Sequence, residues 1–334
     1  MIIPRSEQFS GCLIGQSLGD AVGCKVEGFS PEDCENFVNK EVKIKQIKSL
    51  DRLGFPFGQY TDDSQLAREL LQSYLACGKF DPSDYANRIA AIFAENRIVG
   101  NGSATAAAAN RLIAGISWQE SGNPFPTLSN GSAMRAAPIG LIFYDRPQQL
   151  IQAACDQGRI THQDSQCCAG AVAIAGAVAI ALQSPTIQTQ QFLHQISDWV
   201  AEIDRTFALL LKDLISWVDL PPKEAVNLIA KAGSPPNYKR KWLGISPYVI
   251  ASVLWSLYAF LRSPQNYWET ICTSIAVGGD VDTTAAMAGA ISGAYLGLEV
   301  IPQELTEHLN DRSTWRSAQL VELAEKCYQL KMKL

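Results

Sequence analysis

Histidine, net positive charge and strand-like patterning are all scarce in this sequence. Only 3 of 334 residues are His, and 28 Lys+Arg face 33 Asp+Glu for a formal net charge of -5. A chain with that balance has no global attraction for a phosphate backbone or an anionic membrane, so any polyanion must be held locally. Neither duplex nucleic acid nor a membrane is an expected partner. Charged residues are 18% of the chain against 47% hydrophobic, the opposite of a disordered composition. The opening Met1 to Ser6 lacks the basic and apolar stretches of a secretory signal. The most apolar run, Cys167 to Leu182, falls short of the ~18 to 20 residues a bilayer crossing needs and reads as a buried helix. Nine cysteines contain no CxxC pair, which excludes the usual zinc spacings and suits reduced, buried thiols in a cytoplasmic protein.

What is abundant is small-residue helix. Gly11, Gly15, Gly19 and Gly23 recur every four residues, as do Ala285, Gly289, Gly293 and Gly297, so each segment has one face nearly bare of side chains. Bare faces let two helices approach below the usual ~8 to 10 Å axis separation. Asp20 and Glu27 near one ridge, and Asp280 and Asp282 near the other, favour a soluble bundle over membrane pairing. Ala104 to Ala109 and Ala169 to Leu182 add Ala-rich helices, and Phe192 to Trp217 and Pro247 to Leu261 add amphipathic ones. Only Val42 to Leu50 hints at an extended piece, and it reads equally as loop. Breaks fall at Pro124 to Pro126, at Pro221-Pro222, and at Gly233 to Pro236, where Lys239-Arg240-Lys241 marks an exposed loop. None is a linker, so residues 1–334 read as one all-α domain, a compact orthogonal multi-helix bundle.

Several clusters carry chemistry. Thr61-Asp62-Asp63-Ser64 stands directly before an amphipathic helical pattern, where helix capping is the plain reading, although one acid would suffice for it. Gly278-Gly279-Asp280-Val281-Asp282-Thr283 precedes the second ridge, and its two acids share a site only if the glycines make the turn irregular. The pairing shifts the balance: four carboxylates and two threonine hydroxyls at two helix starts, with no His or Cys beside them, suit two Mg²⁺ or Mn²⁺ ions. Asp20 is expected to anchor that set from behind and Glu27 to reach its rim. Gly100-Asn101-Gly102-Ser103 and Ser129-Asn130-Gly131-Ser132 each run into a helix, as a turn with a cap or as a cradle for phosphate. Arg135 is a buried structural or a site residue, and His162 a cap or surface residue.

In their order and spacing, GDAVGxxxE, YTDDS, SNGSAMRAAPIG, THxD and GGDVDTTAAMAGAISGAYLG resemble the ADP-ribosylglycohydrolase family, across roughly residues 8 to 300. That family includes dinitrogenase-reductase-activating glycohydrolase, the ADP-ribosyl-acceptor hydrolases and a lens crystallin. The resemblance implies an all-α fold with two Mg²⁺ or Mn²⁺ ions at the base of an ADP-ribose cleft. Carried over, Thr61, Asp62 and Asp63 hold one metal, Asp280 and Thr283 the other, and Asp282 bridges them. Glu27 falls where some members place a general acid or base. Asn130, Gly131, Ser132 and Arg135 match the segment that contacts or shapes the ribose and diphosphate site, Gly100 and Gly102 the glycine loop opposite, and His162 a histidine lining the cleft. Ser64 departs from a frequent Thr, and Phe125 is the candidate for stacking adenine. The implied function is metal-dependent release of ADP-ribose from an acceptor such as arginine or serine. The alternatives are hydrolysis of a small metabolite such as O-acetyl-ADP-ribose and a non-catalytic ADP-ribose reader or crystallin-like protein. The implied partner is an ADP-ribose-bearing protein or small molecule, with a monomer favoured.

Overall fold

Glycine spacing explains the centre of the molecule. The computed structural model describes residues 2–50, 53–234 and 242–334, and among them sixteen α-helices and no strand. The first helix, Ser6–Gly23, runs antiparallel to Val281–Leu296 with backbones in direct contact. A Cβ built on Gly11, Gly15, Gly19 or Gly23 would lie 2.2 to 2.5 Å from the carbonyl oxygen of Gly293, Gly289, Ala285 or Val281 respectively. Every fourth residue of one helix thus meets every fourth residue of the other, and side chains larger than hydrogen on the first helix cannot be inserted. The register brings the end of the first helix, with Asp20 and Glu27 beyond it, against the start of the second, with Asp280 and Asp282.

Around this pair the Ser165–Gln183 helix is buried over nearly its whole length, as its Ala-rich pattern requires. It packs with Val249–Arg262 into one contiguous hydrophobic cluster that also takes in Phe9, Leu70, Ile139 and Leu211. The Asp62–Cys77 helix lies beside the glycine-ridge pair, fixed by Gln16, whose Nε2 donates to the carbonyls of Asp63 (3.0 Å) and Met134 (2.9 Å).

One expectation changes and one open reading is resolved. Phe192 to Trp217 is two helices, Thr189–Ala201 and Arg205–Trp217, because Asp204 accepts from the Phe207 amide at 2.8 Å and starts a new helix there. Val42 to Leu50 forms no strand: Val42 closes a short π-helix, Val38–Val42, and the chain then turns, with Lys45 in the left-handed region at φ 56°. Lys239 to Lys241, read as an exposed loop, lie outside the described residues. None of the nine cysteines forms a disulfide.

Candidate active site

Two helix starts and two loops converge on one cleft. Thr61 caps the Asp62–Cys77 helix through its backbone, while its side chain turns away to Asp20. Asp20 accepts from the Thr61 amide (3.0 Å) and hydroxyl (2.9 Å) and from the Ser64 amide (3.1 Å) and hydroxyl (2.6 Å). One carboxylate therefore takes up two of the free amides at this helix start, those of Thr61 and Ser64, so neither Asp62 nor Asp63 is needed to cap them. The Asp62 amide donates to the Val99 carbonyl at 2.8 Å, which ties the helix start to the Gly100 loop.

The opposite helix start is made irregular by Gly278 (φ 75°) and Gly279 (φ 94°). Gly279 is stitched between two neighbours: its carbonyl accepts from the Gly28 amide at 2.8 Å, and its own amide donates to Phe29. The Asp280 amide donates to the Ile245 carbonyl at 2.8 Å. With the turn so held, Glu27, Asp280 and Asp282 each place an oxygen within 4.8 Å of one another. Asp280 accepts from Asn130 Nδ2 and, at 3.3 Å, from the Thr283 hydroxyl.

A cavity of about 290 Å³ opens onto these groups. Of the residues expected at the site, Glu27, Asp62, Asp63, Gly100, Gly102, Asn130, Gly131, Asp280, Asp282 and Thr283 line it. Thr61 and Asp20 stand just behind. Ser132, Arg135 and His162 do not line it, and all three are fully buried. Ser132 donates to the Cys167 carbonyl at 2.7 Å, and Arg135 donates to Gln157 (3.0 Å) and to the Thr161 hydroxyl (2.7 Å). Thr161 Oγ1 lies 2.7 Å from His162 Nδ1, and His162 Nε2 lies 2.8 Å from Ser129 Oγ. Thr161 accepts from Arg135, and the imidazole tautomer sets which way the protons run in the Thr161–His162–Ser129 chain. These buried residues stand behind the cavity wall: Ser132 and Arg135 are placed for the shaping role, one of the two the resemblance implies for their segment, while His162, implied to line the cleft, does not line the cavity. Burial, followed by the nearby Arg135, pulls His162 down to about 3, so the ring is neutral.

Phe125 is 76% exposed and does not line the cavity. The aromatic in the wall is Trp242, which its setting after three basic residues conceals. Ser129, Met134 and Pro247 also line the cavity without a sequence signal beyond their neighbours.

The electrostatics point to a cation. Burial and then neighbouring carboxylates push Asp62, Asp63 and Asp280 well above the usual carboxylate range, with Asp20 and Asp282 the chief neighbours for the first two and Asp282 for Asp280. Asp20 is pushed up to about 7 by burial and Asp282, despite its hydrogen bonds from Ser64 and Thr61. Asp63 Oδ1 is buried and makes no hydrogen bond among the described residues. Like charges so close cannot all ionise in a low-dielectric site without a counter-charge. An all-oxygen donor set with an orphaned carboxylate oxygen fits divalent hard ions such as Mg²⁺ or Mn²⁺.

The family model described as ADP-ribosylglycohydrolase matches residues 2–333. The chain belongs to the ADP-ribosylglycohydrolase family. It is 32% identical to the ADP-ribosylhydrolase ARH3 of Xenopus tropicalis over 90% of this chain and 91% of that one. It is 28% identical to the ADP-ribosylarginine hydrolase Tri1 of Pseudomonas putida over 90% of this chain and 74% of that one. A solved structure titled ADP-ribosylglycohydrolase-related protein complex superposes with a TM-score of 0.74 at 24% identity, covering 99% of this chain and 100% of that one, and so shares its fold. Membership of this family supports hydrolysis of ADP-ribose linkages.

Proposed function

We propose that this protein is a Mg²⁺- or Mn²⁺-dependent hydrolase that releases ADP-ribose from an acceptor, acting in the cytoplasm. The observation that carries the reading is the convergence of Asp62, Asp63, Asp280 and Asp282 in one cleft with an orphaned carboxylate oxygen. Thr61, Asp62 and Asp63 would hold one ion and Asp280 and Thr283 the other, with Asp282 shared. Bound there, the pair would neutralise the acids and supply Lewis acidity toward the ribose hydroxyls.

The protein's own groups then have distinct tasks. Cleavage at the anomeric carbon develops positive charge on the ribose ring, in a cavity walled by carboxylates. The Gly100 to Ser103 loop and the Asn130-Gly131 turn both line the cavity, and their glycines suit close approach of a diphosphate to backbone amides. Ser129 lines the cavity with its Oγ held 2.8 Å from His162 Nε2. Glu27, half-buried at the cleft mouth, is the carboxylate outside the proposed metal set. It is placed to take a proton from the attacking water and return it to the departing acceptor atom as the bond to the anomeric carbon breaks.

The names of the relatives support catalysis over a silent reader: one is an ADP-ribosylhydrolase and another an ADP-ribosylarginine hydrolase. The acceptor is identified by assaying arginine-, serine- and acetyl-linked ADP-ribose side by side with Mg²⁺ and with Mn²⁺. Turnover of one linkage at least tenfold above the others names the acceptor, and no turnover of any removes the catalytic reading.

A further inference from the structure

Two turns along the Asp62–Cys77 helix from the carboxylate cluster, a second cavity of about 520 Å³ opens against Glu69, Gln72, Arg88, Arg97, Arg312 and Trp315. It shares no lining residue with the cleft, and its size is within the ~300 to 1,000 Å³ of small-molecule sites. In a chain of net charge -5, it gathers arginines. Arg68, fully buried beneath it, pairs with Asp311 at 2.7 Å and Glu69 at 3.0 Å, so both acids of the cavity already have a partner.

Arg88 and Arg97 each form an ion pair with Glu69, their terminal nitrogens 3.8 and 4.0 Å from its two oxygens, longer than hydrogen bonds. Each is held through Nε by a carboxylate at the rim, Asp84 at 2.8 Å and Glu95 at 2.6 Å. Their terminal nitrogens are thus engaged only by long ion pairs to the cavity's acid, which a bound anion would compete with. Guanidinium forks of this kind match phosphate oxygens bidentately.

Trp315 supplies a flat wall. The guanidinium carbon of Arg68 lies 5.0 Å from the centroid of its ring. The segment that presents it is held in an uncommon shape: Arg312, Ser313 and Trp315 have φ of 47°, 69° and 46°, and Asn96 opposite has 52°. Four of the five non-glycine residues with positive φ among the described residues therefore lie around this cavity. Conformations of that kind persist where the surroundings impose them, and they gather at ligand sites. Arg312 fastens the two strained stretches together through the carbonyls of Asn96 (2.7 Å) and Ile98 (3.3 Å).

We propose that this cavity is a second ligand site for a nucleoside monophosphate, with the phosphate taken by the terminal nitrogens of Arg88 and Arg97 and the base stacked on Trp315. Aromatic and guanidinium planes together accept a base of any identity, so the phosphate and the ring are the recognised features.

The test is isothermal titration calorimetry of the full-length protein with AMP and, separately, with inorganic phosphate. Both are repeated on the R88Q/R97Q double variant and on Asp282→Asn in the cleft. The substituted arginine side chains are 27% and 43% exposed, so the double variant is expected to keep its fold, which circular dichroism checks. AMP affinity should fall at least tenfold in the double variant and stay within twofold in Asp282→Asn, and phosphate alone should bind at least tenfold more weakly than AMP. Absence of AMP binding, AMP binding insensitive to the arginines, or binding lost in Asp282→Asn alone would overturn the site. Phosphate binding as tightly as AMP would overturn the place of the ring on Trp315.

Discussion

Ser64 donates its hydroxyl to the carboxylate of Asp20 at 2.6 Å, from 44 positions further along the chain. That contact, with those from the Thr61 and Ser64 amides, lets a residue of the glycine-ridge helix cap another helix and leaves Asp62 and Asp63 facing the cleft. Asp20→Ala would strand two amides and two hydroxyls in a buried place. A loss of about 3 kcal/mol of stability is expected, read by urea denaturation with Mg²⁺ present, together with at least a hundredfold weaker Mg²⁺ binding.

The glycine ridge gives a paired prediction. In Gly15→Ala the new Cβ would fall 2.4 Å from the Gly289 carbonyl oxygen, a backbone atom that cannot step aside alone. Overpacking of that kind should cost about 3 kcal/mol or more. Gly102→Ala meets nothing within 4 Å at an ordinary φ of -73°, so its stability should change by less than ~0.5 kcal/mol. If the Gly100 loop cradles a diphosphate, the same methyl should raise KM for an ADP-ribosylated substrate, and thermal melts beside steady-state kinetics separate the two effects.

Glu27 tests the proton-transfer assignment. Glu27→Gln keeps the shape and removes the basicity, so kcat should fall by about 10² or more, as general acid-base roles typically require. ADP-ribose binding by calorimetry should stay within threefold. Unchanged kcat would remove Glu27 from the chemistry.

His162 predicts an acid-sensitive wall. The ring is neutral in both states above its ordinary value of 6.5; between 6.5 and about 3 the unfolded chain binds a proton that the native state refuses. Stability attributable to this residue therefore falls as pH drops through that window and levels off below about 3. The full contribution is on the order of 3 to 5 kcal/mol. Subtracting the pH dependence of His162→Gln from that of the wild type, both saturated with Mg²⁺ at each pH, isolates it; identical slopes would contradict it.

Local patterns were readable in the sequence and tertiary depth was not. A glycine every fourth residue is a property of one helix, and it predicts close approach wherever its partner lies. Thr61-Asp62-Asp63 and Gly278 to Asp282 were legible because an acid-rich helix start is written in consecutive residues. Ser132, Arg135 and His162 belong to the region by motif, but contact and shaping stay open for them in the sequence, because residue type and motif do not tell which side of a wall a side chain occupies. Trp242 lies beside Gly28, which pairs with Gly279, a contact between distant segments that no local pattern announces. The break in Phe192 to Trp217 turned on a single cap at Asp204, which helical periodicity bridges.

Release of ADP-ribose from its preferred linkage, followed in Mg²⁺, after EDTA, and after Mg²⁺ is restored, tests the central claim most directly. Wild-type protein should release ADP-ribose, stop with chelator and recover on re-addition, while Asp62→Asn and Asp282→Asn should neither bind Mg²⁺ by calorimetry nor turn over. Undiminished release in EDTA, or full activity in either variant, would contradict a metal-dependent site built from these carboxylates.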